Sequence, residues 1–154
     1  MTDTIEGRLT RLGITIPASA APAANYVPFS RIGKLLFTAG QLPLKDGKLV
    51  ASGLLGRELA TEQGKEAAKA CAINVLAQAK AALGSLEAIG RIVKITVFVA
   101  STPDFTEQHL VANGASDLLV AVLGDAGKHA RSAVGTASLP LNAAVEIEAI
   151  IEIA

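Results

Sequence analysis

The residues best suited to chemistry lie at positions 129–154, which read HARSAVGTASLPLNAAVEIEAIIEIA. Arg131 opens one apolar strand, a Leu-Pro turn follows, and a second strand carries carboxylates on alternate residues. A planar guanidinium can hold a carboxylate through two parallel hydrogen bonds, which a lysine cannot do. The pattern therefore predicts a fixed cation and several acids on adjacent strands, which suits binding and chemistry on a small carboxylate.

The last strand has two chemically different faces, because side chains alternate along a strand. The odd-numbered face is apolar and can pack against helices: Val145, Ile147, Ala149, Ile151 and Ile153. The even-numbered face carries Glu146, Glu148 and Glu152, so we expect it to meet water or another subunit. At most one of these three acids is expected to act in the site.

The N-terminal part of the chain is predicted to form short elements. Residues 3–13 have apolar residues at helical spacing, and the Pro- and Ala-rich segment after them is expected to run extended as an arm. Residues 35–41 form a predicted strand, residues 45–48 (KDGK) a hairpin turn, and residues around 49–53 a further strand.

A long helix is predicted from Glu58 to Leu83, with Thr61 as its N-cap and Gly84 as its stop. One apolar stripe runs along it: Ala68, Cys71, Val75, Ala79 and Leu83. A strand is predicted over 91–100.

A second helix is predicted from Asp104 and Phe105 to about Val122, followed by strands over 131–138 and 144–154. This order of elements predicts an α+β fold with two helices on one face of a mixed sheet.

Composition limits the classes of function. The chain has 154 residues, enough for one domain with a real core, and 51% of them are apolar but only 3% aromatic. Fourteen basic residues balance fourteen acidic ones without clustering. Nucleic-acid binders usually show a basic stripe with aromatic stacking partners, so the composition argues against a nucleic-acid partner.

The single cysteine, Cys71, excludes an internal disulfide and fits a reducing compartment. The N-terminus lacks the apolar core of a signal peptide, and the apolar stretches are interrupted before the roughly 18 residues that a membrane span needs. We therefore expect a cytoplasmic protein with no membrane partner. Two distant histidines and one cysteine give no metal-ligand spacing, and no serine lies in a nucleophile elbow.

Three segments in order, LLFTAGQLP, VKITVFVASTPDF and ARSAVGTASLPLNAAVEIEAI, resemble the Rid family, also called YjgF-like or liver perchloric-acid-soluble-protein-like. The resemblance covers residues 21 to 154, and the residues at 31–33 are less typical, as in a divergent subgroup. We accordingly expect an N-terminal arm or short helix over 1–20 and one Rid-like domain over 21–154.

The resemblance implies a chorismate-mutase-like fold and a homotrimer with a ligand cleft between subunits. Relatives of the RidA type hydrolyse enamine and imine intermediates such as 2-aminoacrylate to a keto acid and ammonia, without metal or organic cofactor. Other relatives lack that activity, and some have been described as ribonucleases or translation inhibitors.

The resemblance also assigns roles to residues. Arg131 matches the arginine that binds the substrate carboxylate, and Glu146 the acid that positions or activates water. Thr38, Ala39 and Gly40, with Gln41 after them, match the strand end that approaches the ligand.

Three further positions depart from the family pattern. Phe29 stands where a tyrosine is typical and lacks its hydroxyl, and Ala133 stands where a cysteine is frequent. His109 falls at the position of an asparagine, and it could equally be a surface residue of the helix.

The leading hypothesis is therefore an enamine/imine deaminase, a hydrolase without cofactor that acts on a small carboxylate-bearing substrate. The alternative is a non-catalytic protein that binds a small carboxylate or keto acid in the same cleft, which the altered Phe29 and Ala133 favour. For Arg131 itself, the other interpretation is a structural arginine paired with a glutamate of the last strand. His129 is expected in a loop, and Cys71 in the core.

Overall fold

A mixed sheet with helices on one face forms the body of the protein, as a computed structural model shows. The structure describes residues 3–19 and 24–154. The strands are β1 Phe29–Ile32, β2 Leu35–Thr38, β3 Leu44–Lys45, β4 Lys48–Leu49, β5 Ile89–Ala100, β6 Ala130–Thr136 and β7 Val145–Ile153. The α-helices are α1 Ile5–Leu12, α2 Thr61–Leu83 and α3 Gln108–Leu123.

Five strands form the main sheet in the order β1-β2-β7-β5-β6 within the described residues. Strands β5 and β6 are parallel, and every other neighbouring pair in this sheet is antiparallel. The α2 and α3 helices cover one face, which confirms the predicted α+β fold with two helices on one face of a mixed sheet. The short β3–β4 hairpin turns at Asp46 and Gly47, both with positive φ, as the KDGK sequence predicted.

The prediction that the arginine strand and the glutamate strand are adjacent is wrong, because β5 lies between β6 and β7. Strand β5 is followed by α3 and then by β6, and such a crossover returns the chain parallel to the strand it left. It places β6 on the outer side of β5. The inner side of β5 is therefore the position that β7 fills.

Several predicted boundaries differ from the observed ones. Helix α2 begins at Thr61 with Ala60 as its N-cap, and Gln63 Oε1 accepts a hydrogen bond from the Ala60 amide at 2.8 Å. The Glu58 carboxylate accepts hydrogen bonds from Arg57 and from the Leu54 amide, which lower its pKa to about 2. These bonds hold Glu58 in the turn that precedes the helix.

Helix α3 begins three residues after Phe105, because the Phe105 amide closes a turn on the Thr102 carbonyl. Strand β1 was not predicted, since it is short and three of its four residues are exposed. The strand predicted around 49–53 is reduced to β4, and the chain leaves it through Gly53 with φ +109°. Glycine adopts this positive φ readily, and such a backbone conformation interrupts a strand.

The predicted helix over 3–13 is confirmed as α1, which buries Ile5 and Leu9 beside α3. The Arg8 Nη1 donates to the Val122 carbonyl at 3.1 Å, and the Ile5 amide donates to Glu87 Oε1 at 2.9 Å. These bonds join the N-terminal helix to the body of the domain. The predicted boundary between arm and domain, at residues 20 and 21, falls within the range 20–23, outside the residues that the structure describes.

Segment Gln108–Gly127 is by length and composition apolar enough to cross a membrane, although Asp117 and Asp125 interrupt its apolar residues. In the fold, its apolar side chains pack against α2 and the sheet, and Val111, Ala115 and Leu119 are fully buried or nearly so. A buried core helix meets the same criterion, so its composition is explained by its place in the core.

Gly114 lets α2 and α3 cross closely. A Cβ atom at Gly114 would collide with the backbone of Lys65 on α2, which has no flexible end that can move aside. We expect Gly114→Ala to lower the free energy of unfolding by about 3 kcal/mol, the upper end for overpacking, in urea titrations followed by circular dichroism. The control Asp117→Ala, on the exposed side of α3, is expected to stay within about 0.5 kcal/mol. Equal midpoints for the two variants would contradict the close crossing.

Candidate functional site

Glu146 lies on β7, on the face of the sheet away from the helices, and is half-buried. A Cβ atom at Gly40 would lie 2.7 Å from Glu146 Oε1, so the glycine gives the carboxylate its place beside the β2 strand end. Within residues 3–19 and 24–154, the carboxylate has no hydrogen-bond or ion-pair partner. Burial raises the pKa of Glu146, and the nearby charge of Glu148 raises it further.

The backbone beside Glu146 is fixed by hydrogen bonds. Gln41 and Ile147 exchange backbone hydrogen bonds at 2.8 and 3.0 Å, and Gln41 Nε2 donates to the Ala39 carbonyl at 3.0 Å. The Thr38 hydroxyl accepts the Ala149 amide proton at 3.0 Å and is buried. Thr38 therefore stabilises the strand pairing, and the exposed backbone at Gly40 is the part that a ligand can reach.

Arg131 lies on the edge strand β6 and is directed to α3. Its Nη1 donates to Ser116 Oγ at 3.0 Å, and its Nη2 donates to the His109 carbonyl at 3.1 Å. In the described part of the chain no carboxylate pairs with it. A guanidinium has five N–H donors, so three remain available for a ligand.

The structure does not bring Arg131 and Glu146 to the same face of one chain. Arg131 is level with Ile95, whose side chain is buried under the helices. Glu146 is level with Phe98 and Val134 on the opposite, uncovered face. A ligand that contacts both groups must therefore reach round the sheet edge or lie between two copies of the chain.

The remaining candidate residues lie as follows. Phe29 is half-buried, pairs with Thr38 and packs against the core, so its side chain lies on the helix-covered face and not on the face of Glu146. Ala133 follows Arg131 on the same face of β6 and packs against the core. His109 is exposed near the start of α3 and joins the Arg131 group through its backbone carbonyl.

Two residues of the Arg131 group, Ser116 and His129, were not predicted as site residues. The Ser116 hydroxyl lies 2.9 Å from His129 Nε2, and His129 Nδ1 lies 2.6 Å from the Gly127 carbonyl. Two sequence spacings could have indicated that Ser116 and His129 belong to this site. Ser116 is seven residues after His109 on one helix, and His129 is two residues before Arg131, so each pair shares a face.

Cavities of about 740 Å³ and about 470 Å³ lie elsewhere in the described part of the molecule, and neither is lined by Arg131 or Glu146. The first lies between residues 12–19, α2 and the β3–β4 hairpin. Among the described residues, no three His, Cys, Asp or Glu side chains cluster as metal ligands would. Cys71 is fully buried, which confirms its expected place in the core, and burial raises the pKa of its thiol.

A family comparison agrees with the fold. The model of the family described as YjgF/chorismate mutase-like, putative endoribonuclease, matches residues 6–153. The chain belongs to the YjgF/Rid family.

Relatives within the YjgF/Rid family include both uncharacterised and ligand-bound proteins. Protein TCP17 of Trypanosoma cruzi is 51% identical over 97% of this chain and 94% of its own length. The crystal structure of Atu1372, a protein of unknown function from Agrobacterium tumefaciens, is 56% identical with a TM-score of 0.93, over 99% of this chain and 94% of that one. E. coli TdcF with bound serine is 27% identical with a TM-score of 0.65, over 90% and 94%.

The raised pKa of Glu146 predicts a pH-dependent effect of Glu146→Gln on stability. Because the fold favours the protonated carboxyl, its stabilising contribution is present at low pH and is lost as pH rises through the folded-state pKa. We expect Glu146→Gln to equal the wild type in urea midpoint near pH 4 and to exceed it at pH 7. Since half of the carboxyl is exposed, the gain should stay below about 1 kcal/mol.

The matched control for this measurement is Glu66→Gln on the exposed side of α2. It should give no such divergence between the two pH values. Parallel pH curves for the Glu146 variant and the wild type would contradict the desolvation of this carboxyl.

Proposed function

We propose that the protein hydrolyses enamine and imine intermediates of the 2-aminoacrylate type to a keto acid and ammonia. The observation that carries the proposal is the Arg131 guanidinium, which two hydrogen bonds hold in place while no carboxylate of the described chain neutralises it. A family member with a bound serine, E. coli TdcF, supports a small ligand that carries a carboxylate and a nitrogen.

Arg131 is the proposed carboxylate binder. Its three uncommitted N–H donors are enough for the two parallel bonds that a carboxylate accepts. The two bonds to α3 reduce the freedom that the side chain would otherwise lose when ligand binds. Binding of the substrate at its carboxylate would leave the imine carbon and nitrogen free for reaction.

Glu146 is the proposed acid and base. Water would add its oxygen to the imine carbon and give a proton to the carboxylate, which then protonates the nitrogen. The carboxylate then takes the hydroxyl proton of the resulting carbinolamine and passes it to the nitrogen, the C–N bond breaks with its electron pair on nitrogen, ammonia leaves, and the carbonyl of the keto acid forms. A raised pKa makes the carboxylate a better proton acceptor for this step.

The proposed active site lies between subunits of a homotrimer. Arg131 and Glu146 occupy opposite faces of one sheet, and the uncovered face near Glu146 is apolar enough to meet another copy. Ile32 is 71% exposed and Val134 45% exposed on this face, an unusual surface for large aliphatic side chains. Placing the β6 edge of one copy on the uncovered face of the next would bring the Arg131 group of the first near the Glu146 group of the second.

A non-catalytic binding protein is the second candidate, because Phe29 lacks a hydroxyl and Ala133 lacks a thiol beside the proposed site. Such a protein would bind a small carboxylate through Arg131 without releasing ammonia. The family description also includes a putative endoribonuclease. The balance of 14 basic against 14 acidic residues and the 3% aromatic content give that activity less support.

Ammonia and keto-acid release from enzymatically generated 2-aminoacrylate tests the proposal. Arg131→Ala removes a charge-assisted pair worth about 1.5–3 kcal/mol, so we expect about 10- to 150-fold lower kcat/KM. Arg131→Lys should recover only part of this, because an ammonium cannot form the two parallel bonds. Glu146→Gln should lower kcat by about 100-fold or more.

Normal turnover by a folded Arg131→Ala protein would overturn the assignment of the carboxylate binder. Saturable binding of pyruvate without ammonia release would instead select the binding-protein candidate. Glu66→Gln, remote from the site, serves as the matched control with wild-type rates.

The homotrimer predicts a particle of about 47 kDa, three times the 15.7 kDa chain, in light scattering. Val134→Asp would place a charge in the buried interface and should shift the mass towards 15.7 kDa. Asp117→Ala, on the exposed side of α3, is the control and should leave the mass unchanged. A wild-type mass of 15.7 kDa at micromolar concentration would contradict a site shared between subunits.

A further inference from the structure

We propose that Ser116 and His129 are positioning residues that orient the Arg131 guanidinium for its ligand. The inference rests on the proposed function, in which Arg131 binds the substrate carboxylate. It adds two residues that hold this arginine from α3 and from the start of β6.

The three side chains form a chain of hydrogen bonds with one consistent direction. A carbonyl oxygen can only accept, so His129 Nδ1, 2.6 Å from the Gly127 carbonyl, carries the proton. In the neutral ring Nε2 then accepts the Ser116 hydroxyl proton across 2.9 Å. The Ser116 oxygen therefore presents its lone pairs to Arg131 Nη1, 3.0 Å away.

The hydrogen-bond chain ends on backbone that is packed tightly against α3. A Cβ atom at Gly127 would collide with the backbone of Leu119 on α3, so the Gly127 carbonyl lies on a segment packed directly against that helix. Ser116 is part of the same helix, three residues before Leu119. The two ends of the hydrogen-bond chain are thus fixed to one another through α3.

Helix α3 holds both terminal nitrogens of the guanidinium. Nη2 donates to the His109 carbonyl and Nη1 to Ser116, two turns further along the helix. Two acceptors at fixed separation define the plane of the guanidinium as well as its position. Removing Ser116 Oγ would leave one acceptor, about which the group can rotate.

The direct test is the effect of Ser116→Ala on ligand affinity. Because Arg131 holds the carboxylate in substrate and transition state alike, its misorientation should raise KM with little change in kcat. We expect the apparent KM for 2-aminoacrylate, and the Kd for pyruvate as a probe, to rise about 3- to 10-fold, the loss of one hydrogen bond. Ser116→Thr keeps the hydroxyl and should restore both values. His129→Ala should shift them in the same direction.

A double-mutant cycle separates positioning from general packing. If Ser116 acts through Arg131, adding Ser116→Ala to Arg131→Ala should change neither constant further. Asp117→Ala, the next residue on α3 and exposed, is the control with wild-type constants. The inference would be overturned if Ser116→Ala weakened affinity equally with and without Arg131. It would also be overturned if Ser116→Thr failed to restore affinity.

The outcomes distinguish this inference from the proposed function. Ammonia release by the wild type with an unchanged KM in Ser116→Ala would refute the positioning role and leave the deaminase intact. Pyruvate binding that weakens in Ser116→Ala, without any ammonia release, would refute the deaminase and support the positioning role. A wild type that neither releases ammonia nor binds pyruvate would refute both.

Discussion

The crossover from β5 through α3 to β6 is the constraint on which the candidate site depends. It makes β6 an edge strand, leaves the other side of β5 to β7, and brings α3 across the face that carries Arg131. The same arrangement sends Glu146 to the opposite face. The separation of cation and acid is therefore a consequence of chain topology, and the close crossing at Gly114 keeps α3 in the required place.

The sequence predicted those features that follow from local periodicity. Ile147 and Ile151 are buried and Glu148 is exposed, because an antiparallel strand covered on one face must alternate. The turn at Asp46 and Gly47 followed from residues that tolerate positive φ. Strand alternation and turn composition each depend only on residues a few positions apart in the sequence.

Features that depend on distant partners were harder to predict. Thr61 has the side chain of an N-cap, yet its hydroxyl bonds Glu107 at 2.7 Å, and α2 begins one residue earlier than a Thr61 cap would allow. The order of β5, β6 and β7 could not follow from their separate patterns. Ser116 meets Arg131, 15 residues later in the sequence, only because α3 and β6 are packed together.

The position of β7 also has a consequence for folding kinetics. The β1–β2 hairpin and the β5–α3–β6 unit belong to one sheet only through β7, which pairs with β2 on one side and β5 on the other. Each half can form from nearby residues, but their union requires pairings such as Leu36 with Ile151, far apart along the chain. Until that strand inserts, β2 and β5 have open edges, so a slow insertion would favour association of partly folded chains.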